Sequence, residues 1–450
     1  MAATTLRERR QRLKKIEQWI VEHQQDIRQA LYNDFGKPFE ETDLTEILIA
    51  LSEVRHTIRH LKKWMKPRKV KRTKAFLTTT ARVHYQPRGC SLIISPWNFP
   101  FHLTVVPLMS ALAAGNCVIL KPSEYVPHTA QLIKKMVETL FEPQEVAIFL
   151  GDQQTAQALL QKPFDHIFFT GSTRVGKLVM EAAARHLSSV TLELGGKSPV
   201  IIDRSANLKD AAQKVAFYKY LNSGQTCIAP DYLLVHQEVS EEFADLLKTQ
   251  IRNMFGTERT RQMPPSYARI INKPHYQRLK NMLQETKTNG ARILTGGEYD
   301  EEQNFISPTL LKISEPDGVL MNEEIFGPIL PMLSFKNALE AISLINQMDK
   351  PLGVYIFSKN KKFIEQIISR TDSGGVCIND ALLQYLHLNL PFGGIRESGL
   401  GNSHGFYGFR AFSYERAVLR QGWISPLKWL FPPYTNFKRK LIRLVIKYLT

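Results

Sequence analysis

From Ser91 onward, short runs of β-branched and aromatic residues alternate with helix-length stretches, and that alternation admits few folds. SLIIS (91–95) reads as a strand, His102–Ala114 as a helix, NCVILK (116–121) as a strand and His128–Leu140 as a helix; EVAIFLG, HIFFTG, VTLEL and PVIID continue the strands. Strands separated by helices pair in parallel through crossover connections. The pattern restarts after Cys227 with YLLVH, a long helix from Glu241, and PILPMLSF, LGVYIFS and GGVCIND as later strands. Two successive α/β domains follow, with a boundary near Gly195–Gly196. The length agrees, because 450 residues exceed one hydrophobic core. Ahead of them, residues 5–65 carry helical spacing (Leu6, Leu13, Ile16, Ile20), and Lys74–Pro87 is rich in Thr, Val, Phe and Tyr and reads as strand.

Composition excludes several classes. No run of about 18 apolar residues is present, so a spanning helix is not expected. The first twenty residues have no apolar core of a secretory signal, and Glu8 and Glu17 argue against a transit peptide. Cysteines at 90, 117, 227 and 377 form no CxxC pair, and no histidine cluster has metal spacing. A reduced, cytoplasmic, metal-free protein is expected, with Cys90, Cys117 and Cys377 as buried small hydrophobes. The net charge of +17 is concentrated: Lys62–Lys74 holds eight basic residues and Asn436–Thr450 five. The runs read either as solvated faces or as attraction to an anionic membrane surface. Only Trp64 interrupts the first run, so it offers no base-stacking platform and nucleic acid is not an expected partner.

Two residues point to covalent chemistry. Cys227 sits in NSGQTCIAPDY, a small polar loop that presents a thiol better than it hides one, and Glu193 sits in TLELGGKSP on a Gly-Gly turn. A nucleophilic thiol with a separate carboxylate base is the chemistry such a pair performs; reactivity near neutrality calls for a lowered thiol pKa. HIFFTGSTRVGK is strand, glycine turn and helix start, with Gly171 and Gly176 bracketing four residues. Such a turn aims N–H groups at phosphate. A P-loop would need Ser or Thr where Leu178 stands, and no GxGxxG is present, so phosphate binding and a plain tight turn both stay open. In SPWNFP, Asn98 is held between Pro96 and Pro100, which suits a fixed amide donor or a simple turn. In VILKPSE, Lys121 and Glu124 stand at a strand's carboxyl end, where open α/β sheets bind ligands, or on a plain surface turn. EEIFGP and LPFGGIRESGLG are, by themselves, loops.

Taken as a set, PWNFP, KPSE, FFTGSTRVG, TLELGGKSP, NSGQTCIAPDY, EEIFGP and LPFGGIRESGLG resemble the aldehyde dehydrogenase superfamily, in order and rough spacing, from about Leu6 to Arg416. The wording of the cysteine loop is similar to the class 3, fatty-aldehyde branch. The resemblance implies Cys227 as nucleophile, Glu193 as general base, and Asn98 with the Cys227 N–H as the oxyanion hole. It implies Lys121 and Glu124 at the adenosine ribose, Gly171, Ser172 and Gly176 at the pyrophosphate turn, and Glu324 and Phe326 at the nicotinamide ribose and ring. The cofactor implied is NAD, with NADP as an alternative; this family uses a Gly-x4-Gly turn in place of the usual fingerprint. The reaction implied is oxidation of a medium- or long-chain aliphatic or an aromatic aldehyde to the acid, through a thiohemiacetal and a thioester. A CoA-acylating relative would lack a hydrolytic glutamate, so Glu193 argues for water as acceptor.

The implied fold is a Rossmann-like NAD(P)-binding domain (1–67 and 88–195), a catalytic α/β domain (196–401) and a small β arm (68–87 and 402–418) that bridges a homodimer. Residues 419–450 read as a basic amphipathic tail. Leu441, Leu444, Val445 and Tyr448 share one helical face, opposite Lys440, Arg443 and Lys447, with Trp429 and Phe431 just before. Such a helix can lie in a membrane interface, cap a substrate tunnel or meet a partner. Departures from the family pattern gather in His387–Leu390, in IRESGLGNSHGFYGF and after Arg416, and leave chain-length preference open.

Overall fold

The computed structural model describes residues 4–73, 76, 78–256, 267–316 and 318–449. Its first sheet runs, in spatial order, Gly399–Leu400, Ser189–Glu193, His166–Thr170, Cys90–Ile94, Cys117–Lys121, Val146–Ile148. All neighbours are parallel except the Gly399–Leu400 pairing, which is antiparallel. Strand order reverses beside Cys90–Ile94, the Rossmann arrangement in which ligands bind at the carboxyl edge. Helix His102–Ala114 has every residue buried, because it is apolar on all sides, and it ends where Gly115 takes a left-handed φ of 95°. It packs with Leu13, Ile16, Val54 and Leu61 of the N-terminal helices Leu6–Glu22 and Leu48–Trp64 in one core.

The second sheet runs Arg292–Thr295, Thr309–Lys312, Ile329–Phe335, Tyr232–His236, Pro199–Ile202, Gly353–Phe357, Gly375–Ile378. It is parallel except at Arg292–Thr295. A separate three-stranded antiparallel sheet joins Arg68–Lys69, Thr79–Pro87 and Ser413–Gln421. The α/β class and the alternation expected from the sequence are thus present.

Several details differ from expectation. Of the expected Lys74–Pro87 strand, Thr79–Pro87 forms, and residues 74, 75 and 77 lie outside the described ones. Gly399–Leu400 pairs with the first sheet, Gly399 opposite Glu193, although it falls within the 196–401 range. In 402–418, helix Gly405–Ala411 brings Phe409, with Phe412 just after it, into the first core, and the following strand runs on to Gln421. Such returns depend on distant backbone partners that local periodicity cannot reveal. Cys90, Cys117 and Cys377 are half-buried in strands, not fully buried. The tail forms a short 3-10 turn, Pro426–Leu430, and helix Asn436–Leu449. No helix among the described residues is long and apolar enough to cross a membrane.

Candidate active site

The cysteine loop is held in a shape its own sequence would not choose. Asn222 and Ser223 both take left-handed φ (55° and 54°), an expensive conformation for side-chain-bearing residues. Four sets of bonds impose it. The Asn222 N–H donates to Glu41 Oε2 at 2.9 Å, and Ser223 Oγ donates to the Ala268 carbonyl. Gln225 Nε2 donates to the carbonyls of Asn222 and Arg269, each at 3.0 Å. Asn98 Nδ2 donates to the Gln225 carbonyl at 3.0 Å, and Asn222 Nδ2 donates to the Asn98 carbonyl at 2.9 Å. Asn98 is therefore tied to the loop that carries Cys227, two residues further on. Gly224, at φ 71°, lets the loop touch the Glu324 loop: a Cβ there would lie 2.3 Å from the Gly327 carbonyl oxygen.

Cys227 and Glu193 open into one cavity of about 320 Å3. Its walls are apolar, with Phe99, Phe217, Leu382 and Phe392 among them, and Leu44, Leu48 and Leu386, each about half exposed, at its rim. Glu193 ends the strand Ser189–Glu193, is buried, and accepts a hydrogen bond from Ser403 Oγ. Burial raises its pKa; His404 and the Ser403 hydroxyl pull it back. The thiol of Cys227 does not have the lowered pKa expected of it. Burial, then the charges of Glu193 and Glu324, push it well above its ordinary range, and the N–H groups of Cys227 and Ile228 compensate only in part.

The other expected residues gather at the carboxyl edge of the first sheet and across the cleft from it. Lys121, at the end of its strand, is buried and donates to Glu124 Oε2 at 2.8 Å. The Gly171 N–H donates to the Glu193 carbonyl at 3.0 Å. Ser172 caps helix Thr173–Ala184, its hydroxyl accepting from the Val175 N–H. Gly176 packs that helix onto Leu194, where a Cβ would approach Leu194 Cδ2 to 2.7 Å. Glu324 lines a polar cleft of about 340 Å3 with Thr173, Gly195 and Gly196, and burial raises its pKa to about 8. Gly195 leaves room for its carboxylate, since a Cβ would lie 2.1 Å from Glu324 Oε2. Phe326, at φ 47°, meets Trp97 edge-on at 5.3 Å. These residues fit a dinucleotide: a glycine turn opening a helix, a buried lysine and a paired carboxylate stand along one edge. The Ser95 and Thr170 hydroxyls at the same edge are buried and without partners among the described residues.

Sequence reasoning missed the groups that hold these residues. Buried Lys197 bonds Asp231 and donates to the carbonyls of Leu320 (2.6 Å) and Glu323 (3.0 Å). Asp231 Oδ1 accepts from the Ile325 N–H at 3.0 Å, and Arg278 donates to the Ile325 carbonyl at 2.7 Å. Both Lys197 and Asp231 lie in quoted motifs, and the charge of Lys197 beside the Gly195–Gly196 turn was the available signal. Glu41 and Glu53 carried none, because their partners are remote in sequence, and Ser403 and His404, within IRESGLGNSHGFYGF, gave no sign of meeting Glu193.

A family model described as "Aldehyde dehydrogenase family" matches residues 1–418. The chain is 40% identical over 439 residues to the 4,4'-diaponeurosporen-aldehyde dehydrogenase of Staphylococcus aureus, covering 98% of this chain and 94% of that protein. It is 41% identical over 426 residues to aldehyde dehydrogenase family 3 member B1 of Rattus norvegicus, covering 94% and 90%. Among solved structures, the substrate-bound state of Staphylococcus aureus AldH superposes with a TM-score of 0.93 at 39% identity, covering 98% and 95%. The NAD+ complex of an aldehyde dehydrogenase from Bacillus cereus superposes with a TM-score of 0.84 at 28% identity, covering 93% and 84%.

Proposed function

The chain belongs to the aldehyde dehydrogenase family, whose members oxidise aldehydes to carboxylic acids, and from that premise we propose that Cys227 is its nucleophile and Glu193 its general base. The observation that carries the assignment is the cavity these two side chains share, with Asn98 bonded to the same loop. Burial keeps the resting Cys227 thiol neutral, so its proton leaves to a base as sulfur attacks the carbonyl carbon; Glu193, with a raised pKa and in the same cavity, is matched to that task. The alkoxide that forms is stabilised by the Asn98 amide and the Cys227 N–H, roughly 3 kcal/mol for each donor in comparable sites. NAD, when bound, supplies the hydride acceptor. Lys121 and Glu124 would hold its adenosine ribose, Gly171, Ser172 and Gly176 its pyrophosphate, Glu324 and Phe326 its nicotinamide end. The Glu124 carboxylate disfavours a 2′-phosphate, so NAD is the preferred form and NADP the weaker one. Glu193 gives the proton it took from Cys227 to bulk water before the last step; ionised again, it then takes a proton from the hydrolytic water as that water's oxygen bonds to the thioester carbon. The carbon–sulfur bond then breaks, releasing the acid and restoring Cys227.

The apolar walls favour a long aliphatic or an aromatic aldehyde, and the S. aureus relative, named for a diaponeurosporen-aldehyde, supports an extended apolar substrate. The chain acts as a homodimer bridged through the three-stranded sheet, and associates peripherally with anionic membranes through its tail. The division into cofactor domain, catalytic domain and arm follows the two large sheets and the small one.

Turnover tests the core of this reading. Cys227→Ala abolishes aldehyde-dependent NADH production and leaves NAD binding intact, whereas substantial residual turnover rules out the thiol. Glu193→Gln slows hydrolysis of the thioester most, and an unchanged steady-state rate at neutral pH removes it as the base.

A further inference from the structure

Behind Glu193 lies a buried charge pair that the reaction as written does not use. Glu53, on helix Leu48–Trp64, is 1% exposed, and His404 is 3% exposed. The Gly405 N–H donates to Glu53 Oε1 at 2.6 Å, and His404 Nδ1 lies 3.5 Å from Glu53 Oε2. Oε1 is bonded to the Gly405 N–H, whereas Oε2 and His404 Nδ1 approach as an ion pair without a hydrogen bond. His404 takes a left-handed φ of 69°, and Gly405, at φ 49°, sits where a Cβ would lie 2.2 Å from the Leu388 carbonyl oxygen. A strained backbone retained beside a reacting group is a mark of positioning. Ser403, the neighbour, bonds Glu193 directly. Glu193, Ser403 and His404 also line a second cavity of about 10 Å3 with Tyr385 and Ser110, close to the size of one water.

We propose that Glu53 and His404 form a built-in ion pair whose imidazolium holds Glu193 ionised, which makes His404 a positioning residue for the base. The charges around it are consistent with this. Burial alone would discharge His404, but Glu53 and then Glu193 outweigh burial and raise its pKa. The other titratable groups facing the cluster are Cys227 on the nucleophile loop, Tyr385 with its ring 4.5 Å from His404, His102 on helix His102–Ala114, and His56 beside Glu53. His102 is engaged with Tyr385 Oη at 2.6 Å and with Glu46, which Lys37 pairs at 3.1 Å. His404 follows Ser403 directly in sequence, and its charge lowers the Glu193 pKa against the effect of burial.

This rests on Cys227 and Glu193 acting as assigned above, and the test separates the two. With p-nitrophenyl acetate and the full chain, the burst of nitrophenolate reports acylation of Cys227 and the slower phase reports hydrolysis by Glu193. In the wild type the slow phase declines as pH falls through the Glu193 pKa. In His404→Gln that midpoint moves up by about one pH unit, so the slow phase is about tenfold slower on the acid side while the alkaline plateau stays within about twofold. Glu53→Gln moves it in the same direction, and carries the test where His404→Gln fails to fold by circular dichroism. A midpoint unchanged in folded variants, or an equal loss at every pH, overturns the inference. A wild type with no burst, or a burst that survives Cys227→Ala, sinks the assignment of Cys227 and this inference with it.

Discussion

Single residues carry costs in this protein that make sense only beside their neighbours. Asn222, Ser223, Phe326 and His404 all hold left-handed backbone without being glycine, and all four lie in the loops that build the site. Each meets a group from elsewhere: Glu41 at Asn222, the Ala268 carbonyl at Ser223, Trp97 at Phe326 and Glu53 beside His404. Glu41 itself has a pKa raised to about 7, chiefly by burial, with Lys37 and the Asn222 N–H working against it. Beside Ser223, Gly224 has no room for a side chain, because the Gly327 backbone stands where its Cβ would be. Gly224→Ala should cost roughly 2 kcal/mol, from the forbidden φ and the displaced Glu324 loop. Chemical denaturation measures the loss, and a midpoint within error of the wild type would show that the two loops do not pack as described. The same variant should raise KM for NAD more than KM for aldehyde, since Glu324 moves with Gly327.

At the level of elements, one edge of one sheet does most of the organising. The strands ending at Ile94, Lys121, Thr170 and Glu193 are parallel neighbours, so the segments that follow them emerge side by side. Asn98, Lys121 with Glu124, the Gly171 turn and Glu193 are therefore neighbours by topology, although about a hundred residues separate the first from the last. Helix Asn436–Leu449 is the contrasting element. Phe437, Leu444, Ile446 and Tyr448 are all more than half exposed, and Trp423, Trp429 and Phe431 ahead of them are exposed too. A helix apolar on one side and basic on the other suits the headgroup region of an anionic bilayer, with about 1 kcal/mol from each lysine or arginine near the surface. The full chain should co-sediment with phosphatidylserine-containing vesicles and be released by high salt, while a 1–424 truncation stays in the supernatant. Equal pelleting of both would remove the tail from the account.

At the scale of the whole molecule, the strand Ser413–Gln421 is where the proposed homodimer can be tested. Among the described residues it pairs with Thr79–Pro87 alone, leaving one edge open, and Tyr414 and Leu419 are more than half exposed along it. Open edges of this kind recruit another strand. Light scattering on the full chain should give twice the 51.5 kDa chain mass, falling to one chain mass when Leu419 is replaced by lysine; a wild-type monomer would refute the bridging role. The sequence alone determined the α/β class and the strands that alternate with helices, and it singled out Cys227 and Glu193, with Asn98 added by the family resemblance, as the candidates for the chemistry. Those signals are local: periodicity over a few residues, or a polar loop too small to bury a thiol. The tertiary structure alone decided that Gly399–Leu400 returns to the first sheet opposite Glu193, and that Glu41, Glu53 and His404 brace the site from helices and loops hundreds of residues apart. Backbone pairing and buried charge compensation are set by whichever groups the folded chain leaves within a few ångströms, and no spacing along the sequence encodes them.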